Sequence, residues 1–393
     1  MDSPAKWLRR NEWEGAQTSA HRLSAPAYNY VLDMILLKNL KEGIKEKASQ
    51  LGFLLSGVTT PEPPPHYSTF ERWLAQGRHG TMDYLATERS RLRRADPREI
   101  LPECKSILVL ATPYSPPSTE LQANEGRVAS YARGADYHDV LPLRMKELVQ
   151  FIEEQVGSPV RNRWYTDTGP LLERDLAQRA GIGWIGKNTC LIHPRHGSYF
   201  LLSEILLDLD LEPDLPFVAD HCGTCTRCID ACPTDCILPD RTIDATRCIS
   251  YLTIELKDDM PVELRDKIGN WVFGCDICQM VCPWNRFAEE GDPAFGGENP
   301  AGPLNGDLSL SAQEFNQRFK GTPVKRAKRR GYLRNVAVAL GNTGDMQALP
   351  VLQNALRDEE PLVREHARWA IEKIRQRAGM TCPDKTGKLN EQS

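Results

Sequence analysis

Nine of the chain's 12 cysteines lie between residues 222 and 282, and their spacing constrains the fold more than any other feature. Cys222, Cys225, Cys228 and Cys232 form a C-x2-C-x2-C-x3-C run closed by Pro233, and Cys275, Cys278 and Cys282 repeat its end before Pro283. Thiolates so spaced hold [4Fe–4S] clusters, with the cysteine before the proline reaching across to the other cluster. The position that would complete the second run is Val272, and Cys248 upstream is the natural replacement. The arithmetic closes on two clusters. Cys222, Cys225, Cys228 and Cys282 serve one; Cys248, Cys275, Cys278 and Cys232 serve the other.

Zinc is the alternative, because C-x2-C pairs also build zinc ribbons and thiolates accept either metal. A zinc ribbon has little use for a third cysteine two residues on, or for a proline after the last, and this segment has that ending twice. Disulfides fit less well in a chain with no extracellular setting. Cys104, Cys190, Cys236 and Cys382 remain as unligated thiols. A ferredoxin-like segment of this kind passes single electrons and occupies a small part of the 393 residues. The remainder must use those electrons.

The length allows two or three domains. No apolar run approaches the length needed to cross a membrane, so a cytoplasmic chain is expected. A net charge of −4 excludes nucleic-acid binding by bulk positive charge and leaves only local patches for that role.

Residues 1–33 are polar, aperiodic and without the basic and apolar regions of a signal peptide, which suggests a disordered extension. From Met34 onward Ile35, Leu36, Leu40, Ile44 and Ala48 repeat at helical spacing. Apolar strands are expected at 52–58, 106–111 and 198–207, a weaker one at 163–166, and helices at 67–85, 141–156 and 171–180. This alternation argues an α/β or α+β domain over 34–215, followed by the ferredoxin-like module over 216–290. A Gly/Pro/Asn-rich linker is expected over 291–324. LRNVAVALGNTGDMQALPVL and VREHARWAIEKI then suggest HEAT-like helical repeats over 325–378, before a disordered tail at 379–393. Two units are too few for a free-standing solenoid and should pack on the core. Lys325, Arg326, Arg329 and Arg330 lie in a basic stretch at their edge.

Several ordered blocks carry a family resemblance. YARGADYH (131–138), DTGPLLERDLAQRAGIGWIGKN (167–188), HPRHGSYFLLSEILL (193–207), RCISYLTIEL (247–256) and GCDICQMVCPWN (274–285) resemble epoxyqueuosine reductases. The resemblance implies a cobalamin-binding domain similar to that of reductive dehalogenases. It also implies reduction of the epoxide of epoxyqueuosine, at the wobble position of tRNA, to the alkene of queuosine. The implied cofactors are cobalamin and two [4Fe–4S] clusters; the implied partners are tRNA and an electron donor, and the implied state is a monomer. Asp167 is the implied general acid, which requires a raised pKa. Taken alone, Asp167 also reads as a turn or N-cap residue before Pro170. Arg94, Tyr131, Lys187, Asn188, Ser250 and Lys257 fall where the family contacts cobalamin or lies close to it, and His138 flanks the pocket. Arg174 and His193 fall where tRNA is approached, and the basic stretch at 325–330 would meet its phosphates. Two rivals share the redox parts: a cobalamin and iron–sulfur reductase of a small molecule, and a ferredoxin-type carrier. Neither has a use for both the basic tail and the DTGPLLER block.

Iron analysis of anaerobically purified protein is expected to find about eight irons per chain. Cys232→Ala and Cys282→Ala should each damage the cluster of the opposite run, read by paramagnetic resonance. Loss confined to the mutated run would refute the crossed assignment.

Overall fold

The most apolar stretch of the chain, SILVLA, becomes the centre of a four-stranded sheet. The structure is a computed structural model that describes residues 39–117 and 124–380. The extension expected at 1–33 and most of the tail, with Cys382, lie outside those residues. The first part contains α1 (39–50), β1 (Leu55–Thr59), α2 (Tyr67–Ala75), α3 (Glu88–Ala95), β2 (Ser106–Pro113) and a short β3 (Arg127–Val128). It continues with α4 (Tyr137–Val156), β4 (Asn162–Tyr165), α5 (Glu173–Arg179), the short β5 (Trp184–Ile185) and β6 (Leu191–Ile192), and β7 (Phe200–Leu207).

The sheet order is β1-β2-β7-β4, and every pairing is antiparallel. The alternation of strands and helices in the sequence therefore builds an α+β layer rather than a parallel wound sheet. Both faces of β2 are covered, which is why it is continuously apolar. Leu108 and Leu110 pack in a cluster with Ile44, Leu141, Met145 and Leu148 from α1 and α4. Ile107, Val109 and Ala111 pack on the other face with Leu176 and Ala177 of α5.

The cysteine-rich part holds α6 (Arg227–Asp230), α7 (Ile249–Ile254), α8 (Val262–Arg265), β8 (Trp271–Phe273) and α9 (Ile277–Met280). β8 pairs parallel with β3 and so joins this part to the first. Val272, where a complete second run would have cysteine, is fully buried in β8. That position is spent on core packing.

The chain ends in α10 (Leu304–Asp307), α11 (Ala312–Arg318), α12 (Lys328–Thr343), α13 (Leu349–Ala355) and α14 (Pro361–Arg377). The stretch expected as a linker, 291–324, is packed structure instead: Phe295, Leu304, Phe315 and Phe319 are all buried. Its glycines and prolines shape turns between anchored aromatic residues, a pattern that composition alone does not separate from a free linker. The two similar sequence units fall mainly on α12 and α14, with α13 between them. Tyr332, Leu333, Val336 and Ala337 of α12 are fully buried, so this helix is core rather than the edge of a solenoid.

Two polar residues inside α12 clamp the cysteine-rich part. The buried Arg334 donates to the carbonyls of Leu252, Leu256 and Asp258, and Asn335 Nδ2 donates to those of Thr253 and Val272, at 2.8 Å each. Buried carbonyls left unpaired are costly. Asn335→Ala strips two of them and is expected to destabilise the protein by roughly 2–4 kcal/mol. Denaturant unfolding checks this; a change within experimental error would show that the clamp does not hold these parts together.

Candidate active site

β4 ends at Tyr165, and the chain turns sharply through Thr166–Pro170. Thr166 Oγ1 donates to the Leu202 carbonyl at 2.9 Å, fixing the turn to β7. Asp167 has φ 58°, a left-handed conformation uncommon outside glycine and asparagine or aspartate. Gly169 permits the turn, since a Cβ there would come within 2.6 Å of Tyr165 Cβ. Behind it the buried Arg94 guanidinium donates to the Gly169 carbonyl at 3.4 Å and lies over the Phe70 ring. The Asp167 N–H donates to Glu173 Oε1 at 2.9 Å.

Three groups converge on Asp167 Oδ2. The Tyr137 hydroxyl donates at 2.9 Å, His138 Nε2 lies at 3.5 Å and Arg326 Nη1 at 3.4 Å. Tyr137 and His138 open α4, whose N-cap Asp136 accepts from the His138 N–H at 3.0 Å and contacts its Nδ1 at 2.8 Å. Arg326 also pairs with Glu255 at 2.7 Å.

These contacts correct the ionisation expected for Asp167. Burial opposes its charge, but the neighbouring His138 imidazole, the Tyr137 hydroxyl and Arg326 outweigh it and hold the carboxyl below its ordinary value. The mobile proton sits on His138, raised to about 9 by its hydrogen bond to Asp136 and by the Asp167 carboxylate beside it, against the effect of burial. The Asp167 side chain keeps 49% exposure because it fronts a cavity.

That cavity has a volume of about 310 Å³, within the range of small-molecule sites. Its lining runs from Asp167, Tyr137 and Glu173, past Tyr114 and Phe200, to Cys190 and Gln279. Gln279 follows the cluster cysteine Cys278 in sequence. A smaller cavity of about 40 Å³ is lined by Cys222, Cys225, Cys228 and Cys282, which brings the fourth cysteine of the second run to the first three of the other. Cys275 is within electrostatic reach of Cys248 and Cys232, and Cys278 of Cys275 and Cys248. Among the described residues, no three His, Cys, Asp or Glu side chains stand close enough to grip a single metal ion.

Two thiols set aside on spacing sit against the second set: Cys236 Sγ is 3.4 Å from Cys232 Sγ, and Cys190 neighbours Cys278. Cys190 is far from the others in sequence, so spacing could not reveal it. Other residues missed from the sequence are Tyr137, inside the YARGADYH block, and Glu173, inside DTGPLLER.

The remaining expected residues divide by place. Tyr131 lies edge-on to Tyr114 and Tyr137. Lys187 Nζ donates to the carbonyls of Gly223 and Cys225 at 2.8 and 2.9 Å, and Asn188 Nδ2 to that of Cys278 at 3.4 Å. Both therefore brace cluster loops rather than line the large cavity. Ser250 is on α7, and Lys257 just beyond it donates to the Ile254 carbonyl at 2.9 Å. Arg174 lines the cavity and donates to the Thr189 carbonyl at 2.6 Å. His193 stacks on His196, and burial first, then His196 and Arg195, push it down to about 4. Of the basic stretch, Lys325 is exposed and Arg330 half-buried. Arg329 is committed to both carboxylate oxygens of Asp358, at 3.1 and 2.6 Å, and Arg326 to the aspartate site. Neither is a free surface cation.

An ionised aspartate facing a cavity beside two quartets of thiols defines a class, an iron–sulfur oxidoreductase. Residues 221–285 match the family model for a 4Fe-4S double cluster binding domain, and residues 94–168 match that described as epoxyqueuosine reductase QueG, DUF1730. The chain is 42% identical to the epoxyqueuosine reductase of Xanthomonas campestris pv. campestris, over 84% of its own length and 94% of that protein's. It superposes on the crystal structure of an epoxyqueuosine reductase with an epoxyqueuosine-modified tRNA-Tyr stem loop at TM-score 0.78, with 34% identity and coverage of 86% and 91%. A Bacillus subtilis epoxyqueuosine reductase, solved with its catalytic aspartate loop swung out of the active site, also superposes at 0.78, with 33% identity and the same coverage. The chain belongs to the epoxyqueuosine reductase family.

The His138 cluster predicts a pH dependence. His138 is raised above its ordinary 6.5, so its contribution to stability is full below 6.5 and fades as pH rises through about 9. Asp136 and Asp167 are lowered, so their share is lost as pH falls below the ordinary carboxylate range. The stability difference between the native protein and His138→Gln is therefore expected to be largest between about pH 5 and 6.5 and to vanish by about pH 9. Unfolding curves across that range test it; a difference independent of pH would refute the charged histidine.

Proposed function

We propose that this chain reduces the epoxide of epoxyqueuosine in the anticodon loop of tRNA to the alkene of queuosine, using electrons delivered by two [4Fe–4S] clusters to a cobalamin. The observation that carries the reading is Asp167, held in a left-handed turn at a cavity whose lining reaches Gln279 beside the cysteine sets. The solved relatives support it, one with its catalytic aspartate loop displaced and one carrying a modified tRNA stem loop.

The side chains lining the cavity suit the reacting side of a redox cofactor, whose bulk exceeds the cavity's volume of about 310 Å³. Tyr114, Phe200 and Leu202 offer a largely apolar wall, while Cys190 and Gln279 put the lining next to Cys278. Tyr131, Ser250, Lys257 and Arg94 are the groups that would hold cobalamin directly or through the Asp167 turn, with Lys187 and Asn188 acting through the cluster loops. When bound, cobalamin supplies the low-valent cobalt that makes epoxide deoxygenation possible, chemistry the side chains themselves lack.

Reducing an epoxide to an alkene consumes two electrons and two protons and releases water. This chain's side chains supply the protons. His138 holds one at neutral pH and Asp167 stands between it and the cavity. Asp167 thus relays a proton to the departing oxygen, while Tyr137 and Arg326 hold its carboxylate in line. The tRNA backbone would meet Lys325 and Arg330, with Arg174 and His193 nearer the modified base. A tRNA substrate would keep the protein in the cytoplasm; no helix among the described residues is long and apolar enough to cross a membrane. The basic stretch favours this reading over a small-molecule reductase.

Asp167→Asn preserves shape and tolerates the left-handed turn but cannot relay a proton. Cluster content and tRNA affinity should be retained while turnover falls by roughly a hundredfold or more. An Asp167→Asn protein with near-native turnover would leave Asp167 as a turn residue only.

A further inference from the structure

A chain of hydrogen bonds crosses from the cluster loops to the cavity, and its direction follows link by link. It starts at Asn285, three residues beyond Cys282. The Ser198 N–H donates to Asn285 Oδ1 at 2.7 Å, which fixes that amide and leaves Nδ2 to donate. Nδ2 donates to the Gln279 carbonyl at 2.7 Å and to Ser198 Oγ at 3.0 Å. Gly197 permits this close approach, since it has φ 72° and a Cβ there would collide with Asn285 Oδ1. Ser198 Oγ gives its own proton to Gln279 Oε1 at 2.9 Å; Asn285 Oδ1, at 3.2 Å, is farther and already taken by the backbone N–H. Gln279 therefore turns its oxygen to Ser198 and its Nε2 to Tyr114, whose hydroxyl oxygen accepts at 3.1 Å. Each link forces the next, because an amide nitrogen only donates and an amide oxygen only accepts.

The chain ends on a proton without a partner. A hydroxyl that accepts a hydrogen bond still has its own hydrogen to give, and no group among the described residues takes that of Tyr114. The residue is 5% exposed, and its ring lies edge-on to Tyr131 and Tyr199, with centroids 6.3 and 5.5 Å away, so the hydroxyl is held in place. A buried donor left unpaired is costly. Tyr114 and Gln279 both line the large cavity, so the occupant of that cavity is what can accept the proton.

We propose that the Tyr114 hydroxyl is a hydrogen-bond donor to cobalamin, with Asn285, Ser198 and Gln279 as the residues that position it. The proposal rests on the reading of this chain as a cobalamin enzyme. The periphery of cobalamin carries amide carbonyls and a phosphate, acceptors suited to a neutral phenol, and a phenol keeps its proton at neutral pH. The donor is aimed from the cluster side: Gln279 follows Cys278, and Asn285 lies just past Cys282. That origin favours the cofactor over the substrate as acceptor, because the loops that hold the clusters then also orient the group to which they pass electrons.

Titration of the cluster-loaded protein with cobalamin, followed by the change in its visible spectrum, tests the assignment. Tyr114→Phe keeps the ring and removes the donor. Iron content and affinity for the modified stem loop should be retained, while the Kd for cobalamin rises by roughly tenfold. Ser198→Ala leaves the hydroxyl in place but frees the Gln279 amide to turn its oxygen to Tyr114 and take the proton, so it too should weaken cobalamin binding. Native cobalamin affinity in Tyr114→Phe overturns the proposal, even where turnover falls, because the hydroxyl would then serve the substrate. Should Tyr114→Phe lose iron or fail to fold, Ser198→Ala decides, and native affinity there overturns the aimed donor. Failure of the native protein to bind cobalamin overturns the reading beneath it.

Discussion

One guanidinium joins the three parts of this molecule. Arg326 comes from the turn that leads into α12, Glu255 ends α7 in the cysteine-rich part, and Asp167 belongs to the turn beyond β4. Its contacts at 2.7 and 3.4 Å tie the Asp167 turn, the cysteine-rich part and the helical region to a common point. Each contact is partly exposed, so its value lies in orientation more than in stability. The Asp167 carboxylate stays ionised and aimed at the cavity because a fixed cation and a protonated histidine face it together.

The arrangement separates two tasks that a reductase must coordinate. Thiols gather on the cysteine-rich side, behind loops braced by Lys187 and Asn188. Proton-holding groups gather on the sheet side: His138 at the start of α4, Glu173 at the start of α5 and Glu204 in the middle of β7. The cavity lies where their linings meet. α12 sustains that geometry from behind: Arg334 and Asn335 satisfy carbonyls of the segment around α7 and β8 that the secondary structure leaves open. Apolar burial of the same helix supplies the bulk of its adhesion.

Much of this was legible in the sequence. Continuous apolar runs located β2 and β7, and period-3.6 patterns α1 and α4, to within a few residues, because those segments bury one or both faces whatever their partners are. Cysteine spacing exposed the paired sets, since local loop geometry dictates it. Less legible were the packed stretch 291–324, the committed roles of Arg326 and Arg329, and the place of Cys190. Each depends on a partner far along the chain. Arg326 and Asp167 are 159 residues apart, and no local pattern encodes their meeting.

By itself, then, the sequence determined the redox module, because short-range cysteine spacing carries that signal, and its ordered blocks carried the family resemblance that alone drew attention to Asp167. Tertiary structure alone decided which group holds the proton. An isolated aspartate gives no hint of whether burial or its neighbours will prevail, and here Tyr137, His138 and Arg326 arrive from three separate segments to keep it ionised. The same holds for Glu204, whose letter in a strand of leucines reads as a polar interruption. Only the packed sheet leaves that carboxyl buried and without a hydrogen-bond partner, which favours its keeping a proton.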